Sequence, residues 1–420
     1  MLPSILLLAL QAPPPPPPAY PGAAIDAHVR AGRYLAALDE AEHRMLAGED
    51  ELLLDLFGLV QSYVGLERET LETFDSMGAP PPAVALGSSP VDDAVALDAI
   101  PALVEAARGR RIVILNESHH MPRHRAFALE LARALRAEGF DTFAAETFQD
   151  VAATEARGWP EPDTGYYTAE PVFGELVRGV LALGYRPVAY EWHPTALPGA
   201  DARTRINTRE TAQAQNLLER VFQVDPEARL LVHVGYSHAT EDWRDPGGPG
   251  EVAWMAARLA KLTGLDPLTI DQTVALPRSE PVHEDPHWRR AEERGLLDGP
   301  KLLRRPDGAW VVVGSYAGKV DLQVFHPRTR PVHGRPDWLA RGRRAVAVPS
   351  ALAQELPGDE RVLLQAFHAG ESPRAIPADQ FVLEPGTEPA HFLLVPGEYR
   401  LAVQDAGGRV LAALDGVRVE

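Results

Sequence analysis

The sequence contains no cysteine among its 420 residues. Disulfide bonds, cysteine nucleophiles and cysteine-based zinc sites are therefore excluded for this chain. Positive charge is also scarce, because the formal net charge is −18 and the isoelectric point is about 5.3. Since nucleic-acid binding depends on Lys and Arg neutralising phosphates, this balance argues against a nucleic-acid partner.

Long apolar runs are missing as well. No stretch approaches the ~20 apolar residues that a membrane-spanning helix needs, so no stable membrane span is expected. Residues 1–22 combine a short apolar run with six consecutive prolines. This pattern is typical of a secretory signal followed by a stiff polyproline spacer, and it predicts a periplasmic or secreted protein. The alternative is a cytoplasmic protein with a disordered N-terminal tail.

Several common catalytic motifs are absent. The chain has no HExxH zinc motif and no glycine-rich phosphate loop of the Walker or Rossmann type. It also lacks the GxSxG turn that carries a nucleophilic serine in many hydrolases. Nucleotide-dependent and serine-nucleophile chemistry are therefore poorly supported.

The sequence divides into regions of different pattern. Residues 23–77 have apolar side chains at helical spacing and predict a helical hairpin like that of tetratricopeptide repeats. Residues 94–290 alternate short apolar runs with helical patterns, which predicts a parallel sheet covered by helices on both faces. Residues 300–420 contain short alternating runs between Gly and Pro turns, which predicts a β-sandwich-like domain. The predicted fold is therefore α/β, preceded by a small helical segment and followed by an all-β domain.

Ionisable or aromatic side chains follow every predicted strand of the parallel sheet. In chain order they are Glu117, His119 and His120; Glu146; Tyr190, Glu191 and His193; His233, Tyr236 and His238; and Asp271. In open parallel sheets, ligands bind beyond the carboxyl ends of the strands. We therefore expect these side chains to line one cleft that binds a small-molecule substrate.

Taken one at a time, these residues have simpler interpretations. His233 is read as a core histidine. Arg123, His124 and Arg125 can form a solvated helix start, and Arg125 is placed on the polar face of a helix over 124–138. The occurrence of such residues at several strand ends together favours a functional site over these separate interpretations. The same His and Glu side chains can also ligate a divalent metal, so the cofactor stays open.

Four short stretches carry a resemblance to a known group of proteins. ILNESHH, FAAETF, RETAQAQN and VHVGYSH, within residues 95–275, resemble the superfamily that contains erythromycin esterase-like hydrolases, ChaN-like haem-binding proteins and Tiki/TraB proteins. The sequence departs from the esterase pattern at Asn116 and Met121, where glycine is usual, and at Gln213, where methionine is usual. The members of this superfamily differ in chemistry.

The resemblance and the strand-end positions together predict a site. The predicted catalytic residues are Glu117, His120, Glu146 and His238, and the predicted substrate-binding residues are His119, Arg125, Glu191, Arg209 and Tyr236. In this prediction His120 activates water and the protein hydrolyses an ester or a related acyl substrate. One alternative is a ChaN-like haem- or metal-binding protein. The other is a non-catalytic protein whose helical or β module binds a protein partner.

Overall fold

The computed structural model describes residues 22–48, 52–78, 86–192, 199–244 and 252–420. The predicted signal and polyproline spacer therefore lie outside the described residues except for Gly22, and His193 lies outside them too. Within the described ranges, no helix combines the length and the apolar character that crossing a membrane requires.

The N-terminal region forms a group of helices. They are α1 (Ala23–Arg30), α2 (Tyr34–Leu46), α3 (Leu52–Tyr63) and α4 (Glu67–Ser76). Gly32 separates α1 from α2 at a φ of 71°, a left-handed conformation that favours glycine. Buried side chains of these helices share a core with Leu363 and Ile376 of the C-terminal region. The helices are thus packed against the rest of the protein rather than tethered to it.

The central α/β region contains the elements that position the candidate site. In chain order they are β1 (Val95–Asp98), α5 (Ala99–Ala107), β2 (Ile112–Glu117), α6 (Pro122–Ala137), β3 (Thr142–Ala145), α7 (Val151–Arg157), α8 (Pro171–Ala182), β4 (Arg186–Ala189), α9 (Ala202–Leu217), β5 (Leu230–Gly235), β6 (Trp243–Arg244), β7 (Val252–Ala253), α10 (Met255–Thr263), β8 (Leu268–Asp271), α11 (Pro286–Glu293), β9 (Lys301–Arg304) and β10 (Leu322–Gln323). Six strands form one parallel sheet in the order β10-β8-β2-β5-β3-β4.

Both faces of this sheet are buried. Along β2, Val113 and Leu115 pack with the cluster that includes α5, α6 and α8, whereas Ile112 and Ile114 pack with the cluster that includes α9 and α10. Because side chains alternate between the two faces of a strand, burial on both faces requires the continuous apolar run seen here. The predicted parallel sheet with helices on both faces is confirmed.

The C-terminal region is mainly antiparallel. Its elements are β11 (Pro331–Val332), β12 (Arg335–Pro336), β13 (Arg344–Val346), α12 (Ser350–Ala353), β14 (Val362–His368), β15 (Asp379–Leu383), β16 (Phe392–Leu394), β17 (Gly397–Gln404) and β18 (Val410–Val419). A four-stranded sheet runs β15-β14-β17-β18, and β13 pairs with β16. Antiparallel sheets therefore occupy the region for which the sequence predicts a β-sandwich-like domain.

The start of this region differs in one respect from the predicted boundary near residue 300. Strand β10, Leu322–Gln323, pairs in parallel with β8 and extends the central sheet. Strand β9 pairs with β1 at the start of the α/β region. The alternating run over residues 320–327 predicts a strand here, but a short run gives no signal of the sheet that it joins.

Candidate functional site

The carboxyl ends of the central strands meet at one edge of the sheet. Strands β2, β5, β3 and β4 are neighbours and run in parallel, so the residues that follow them lie side by side. The nine predicted site residues are all joined there by contacts described below: Glu117, His119, His120, Arg125, Glu146, Glu191, Arg209, Tyr236 and His238. Together with Glu210 of α9, they form two carboxylate–histidine pairs, Glu117–His119 and Glu210–His238, which are linked through Glu146.

The first pair is Glu117 with His119. Oε1 of Glu117 lies 2.9 Å from Nδ1 of His119. Burial disfavours the charged carboxylate, but the charge of Arg125 and hydrogen bonds from His119 and Arg125 hold the pKa of Glu117 well below its usual value. An ionised carboxylate only accepts hydrogen bonds, so Nδ1 of His119 carries the proton. In the neutral imidazole, Nε2 is then the nitrogen with the free lone pair.

Two tyrosines fix the ring of His119. Tyr167 stacks on one face with the ring centroids 3.9 Å apart, and Tyr236 packs edge-on at 5.3 Å. Tyr236 has a φ of 38°, which is uncommon for a residue with a side chain and is typical of functional sites. Sequence reasoning missed Tyr167, because it lies in a long connection between β3 and α8 and follows no strand directly.

Arg125 supports the first pair from inside the protein. Its Nε and Nη2 donate to the two oxygens of Glu117 at 2.8 and 2.9 Å, and Nη2 also donates to the carbonyl of His119 at 2.7 Å. Its Nη1 donates to Oε2 of Glu170 at 3.1 Å, and the guanidinium lies over the ring of Phe173. Arg125 has no exposed surface, so it positions Glu117 and His119 rather than facing a cleft.

The predicted position of Arg125 on the polar face of α6 is therefore wrong. Residue 125 is three residues before Ala128 and ten before Leu135, both of which are buried. In a helix these spacings put the three side chains on one side, so Arg125 lies on the core-facing side. The predicted solvated helix start is wrong too, because Arg123 and His124 are also buried.

The second pair is Glu210 with His238. Oε2 of Glu210 lies 2.8 Å from Nδ1 of His238 and accepts a further hydrogen bond from the backbone of Met255. Nε2 of His238 lies 3.5 Å from Oε1 of Glu146 and 3.2 Å from Nη1 of Arg209. Burial lowers the pKa of His238, but Glu146 and Glu210 more than offset it and raise the pKa to about 10. The imidazolium form therefore prevails at neutral pH, with Nε2–H directed towards Glu146. Because a guanidinium can only donate, the contact between Nε2 and Nη1 of Arg209 then joins two donors that share Glu146 as acceptor.

This shift predicts a pH-dependent contribution of His238 to stability. The folded-state pKa lies above the ordinary value of about 6.5, so the contribution is complete below pH 6.5 and is lost as the pH rises to about 10. The free energy of unfolding, measured by urea titration, should fall over this range by a few kcal/mol more in the wild type than in His238→Gln. Parallel curves for the two proteins would contradict the protonated state.

Arg209 joins the second pair to the neighbouring strands. Its Nη2 donates to Oε1 of Glu146 at 2.5 Å and to Oε2 of Glu191 at 2.7 Å. Glu191 also accepts two hydrogen bonds from the amide of Gln213 at 3.1 Å. Glu191 is therefore occupied in holding Arg209, while the side chain of Arg209 keeps about a third of its surface exposed.

Gly235, the last residue of β5, is the point where the first pair approaches Glu146. Its backbone N–H donates to Oε2 of Glu146 at 2.6 Å. A Cβ added at Gly235 would lie 2.6 Å from Nε2 of His119 and 2.8 Å from Oε2 of Glu146. Only glycine fits here, and its small size lets the free nitrogen of His119 and the carboxylate of Glu146 approach the same point.

His120 is placed differently from His119. Its ring stacks on Phe74 of α4 at 3.5 Å, and Nδ1 lies 3.4 Å from the hydroxyl of Tyr236. Burial lowers the pKa of His120 well below its usual value, and Nε2 is buried with no hydrogen-bond partner among the described residues. No carboxylate within the described ranges orients this ring. The geometry thus favours His119 over His120 as a base.

Other strand-end residues lie outside this network. Asp271 accepts hydrogen bonds from Asn116 and Gln323 and ties β8 to its neighbours. Tyr190 is fully buried. His233 is buried as predicted, with burial lowering its pKa to about 4, and its Nε2 lies 3.5 Å from Glu117.

The site residues do not fit a metal ion or haem. Within the described ranges, no group of three or more His, Asp or Glu side chains is arranged to hold a metal ion. Glu117 and Glu146 are each already paired with a guanidinium, which competes with a cation. Nε2 of His120, the nitrogen that would ligate a haem iron, is buried inside the protein. The chemistry of the site is therefore considered without a metal ion or haem.

Comparison with known proteins gives distant structural likenesses only. No family model and no curated protein matches the chain. Haem-binding ChaN of Campylobacter jejuni is 8% identical and covers 56% of this chain and 98% of its own, with a TM-score of 0.31. The MARTX toxin effector domain RRSP of Vibrio vulnificus is 13% identical, and the match covers 72% of this chain and 49% of that one, with a TM-score of 0.31. The C-terminal region of Pasteurella multocida toxin, described with a thiol-protease-like triad, is 9% identical. The match covers 73% of this chain and 46% of that one, with a TM-score of 0.33.

The matched part spans between 36% and 49% of the length of four toxin chains. The structural neighbours thus include ChaN and toxin effector domains at low identity and low TM-score. Such values carry no argument about activity, which rests on the geometry of the site.

Proposed function

We propose that the protein is a hydrolase that cleaves an ester or a related acyl substrate by metal-free acid–base catalysis. The observation that carries this proposal is that two carboxylate-oriented histidines lie close to Glu146, His119 across Gly235 and His238 at 3.5 Å. A histidine held by a carboxylate is the usual general base near neutral pH, and a cationic group nearby can stabilise an oxyanion.

The proposed reaction begins at the free nitrogen of His119. Nε2 takes a proton from water, and the resulting hydroxide adds to the acyl carbon. Glu117 stabilises the imidazolium that forms. The carbonyl oxygen becomes an oxyanion, which the positive charges of His238 and Arg209 stabilise. When the tetrahedral intermediate collapses, the bond to the leaving oxygen breaks and His119 returns its proton to that oxygen.

The roles of two predicted residues change in this mechanism. His120 becomes a positioning residue that holds the hydroxyl of Tyr236, and Arg125 becomes a positioning residue for Glu117. A thiol nucleophile of the kind named for the Pasteurella toxin is excluded, because this chain has no cysteine. Export to the periplasm or the medium is part of the proposal and rests on the sequence of residues 1–22.

The test is turnover of a panel of aryl and alkyl esters by the purified protein, with and without EDTA. We expect hydrolysis above the spontaneous rate, unchanged by the chelator. Glu146→Gln should lower kcat by about 10²–10³, because it removes the carboxylate that aligns His238 and Arg209. The matched control is Glu155→Gln, which changes an exposed residue of α7 and should keep full activity. Equal rates for wild type and Glu146→Gln, or loss of activity in EDTA, would overturn the mechanism.

A further inference from the structure

A cavity of about 250 Å³ lies away from the candidate site, between α6, α8 and the segment 338–343. Four arginines line it: Arg133, Arg178, Arg341 and Arg343. Two glutamates and one histidine complete its ionisable lining: Glu130, Glu175 and His368. The cavity is thus rich in positive charge within a chain whose net charge is −18.

Part of this charge is neutralised by the protein itself. Arg178 donates to both oxygens of Glu371, at 2.7 and 2.5 Å, and to the carbonyl of Ile376 at 2.6 Å. Glu175 lies 2.9 Å from Nε2 of His368 and 3.2 Å from Nη1 of Arg178. One guanidinium group, that of Arg178, therefore faces two carboxylates, Glu175 and Glu371.

The other three guanidinium groups have fewer carboxylate contacts than Arg178. Glu130 is the remaining carboxylate of the lining, and its nearest arginine contact is 3.8 Å from Arg341. Within the described part of the chain, Arg343 donates through Nη1 to the carbonyls of Leu393 and Ala378. Arg133 lies on the exposed side of α6 at the mouth of the cavity. Three guanidinium groups thus face one carboxylate.

We propose that this cavity binds the phosphoryl group of a small phosphorylated molecule. The four guanidinium groups outnumber Glu130, Glu175 and Glu371 by one, and this excess attracts an anion such as a phosphate monoester, which carries about −1.5 to −2 at pH 7. The planar guanidinium fork suits phosphate oxygens better than any other side chain does. Leu129, Val172 and Trp338 supply an apolar wall for the organic part of the ligand. The volume limits that part to a small group.

The test uses phenyl phosphate as the probe, with isothermal titration calorimetry on the full chain. Benzoate replaces the phosphate by a carboxylate, and sodium chloride matches the ionic strength. We expect saturable binding of phenyl phosphate. Benzoate should bind at least about tenfold more weakly, because its carboxylate has fewer anionic oxygens to accept charge-assisted hydrogen bonds.

Two variants locate the binding. Arg341→Ala/Arg343→Ala should weaken the affinity for phenyl phosphate by at least about tenfold, while Arg374→Ala/Arg418→Ala, which removes two exposed arginines elsewhere, should leave it unchanged. Arg133→Ala provides a single exposed change that cannot unfold the core, and it should also weaken binding. Absence of binding to the wild type, equal affinity for benzoate, or undiminished binding in the cavity variants would each overturn the proposal. None of these results depends on ester hydrolysis.

Discussion

His119→Ala is expected to lower kcat for the best ester of the panel by about 10²–10⁴, with the fold intact. His119 is the histidine whose Nδ1 is held by Glu117 and whose Nε2 faces Glu146 across Gly235. Alanine at this position removes the base but leaves the buried Arg125–Glu117 pair in place, so the circular dichroism spectrum should match the wild type. Initial rates at saturating ester measure the effect.

His120→Ala is the matched control, because the two histidines are adjacent in the sequence. Its ring is buried against Phe74, and no carboxylate of the described residues orients it. We expect a loss of less than about tenfold in kcat, with a lower unfolding midpoint from the lost stacking contact. A larger loss in His120→Ala than in His119→Ala would assign the base to His120, as the sequence resemblance predicts.

The comparison between these two histidines shows what the sequence could establish. The alternation of apolar runs predicted a parallel sheet, and that topology alone brings the strand-end residues to one edge. It could not choose between adjacent histidines, because the choice depends on ring orientation. One signal was available: Glu117 and His119 are two residues apart, the spacing at which side chains of an extended chain point the same way.

The buried half of the site was harder to predict. Arg125 looks like a surface residue because arginine is almost never fully buried unless it is paired. Its partner Glu170 lies 45 residues away and caps α8 by accepting from the backbone of Val172 and Phe173. A glutamate before Pro171 does signal a helix start, but nothing in the sequence links it to Arg125. Long-range pairing of this kind follows from the packing of α6 against α8.

Arg125→Met is therefore expected to destabilise the protein by about 3–5 kcal/mol. The variant keeps the volume of the side chain but leaves Glu117 and Glu170 without the charge that compensates their burial. Glu117 should then bind a proton more readily, because the charge of Arg125 and its hydrogen bonds are among the causes that lower its pKa. Urea unfolding followed by circular dichroism measures the loss in the free energy of unfolding.

Two further variants separate the loss of charge compensation from a loss of packing. Arg133→Met changes an exposed arginine on the same helix and should alter the free energy of unfolding by less than about 0.5 kcal/mol. Arg125→Met/Glu117→Gln removes one of the two uncompensated carboxylates, so it should be more stable than Arg125→Met alone. If the double variant were no more stable, the cost would come from packing against Phe173 instead. In that case Arg125 would hold His119 in place through its shape. The charge of Glu117 would then serve only to orient the imidazole of His119.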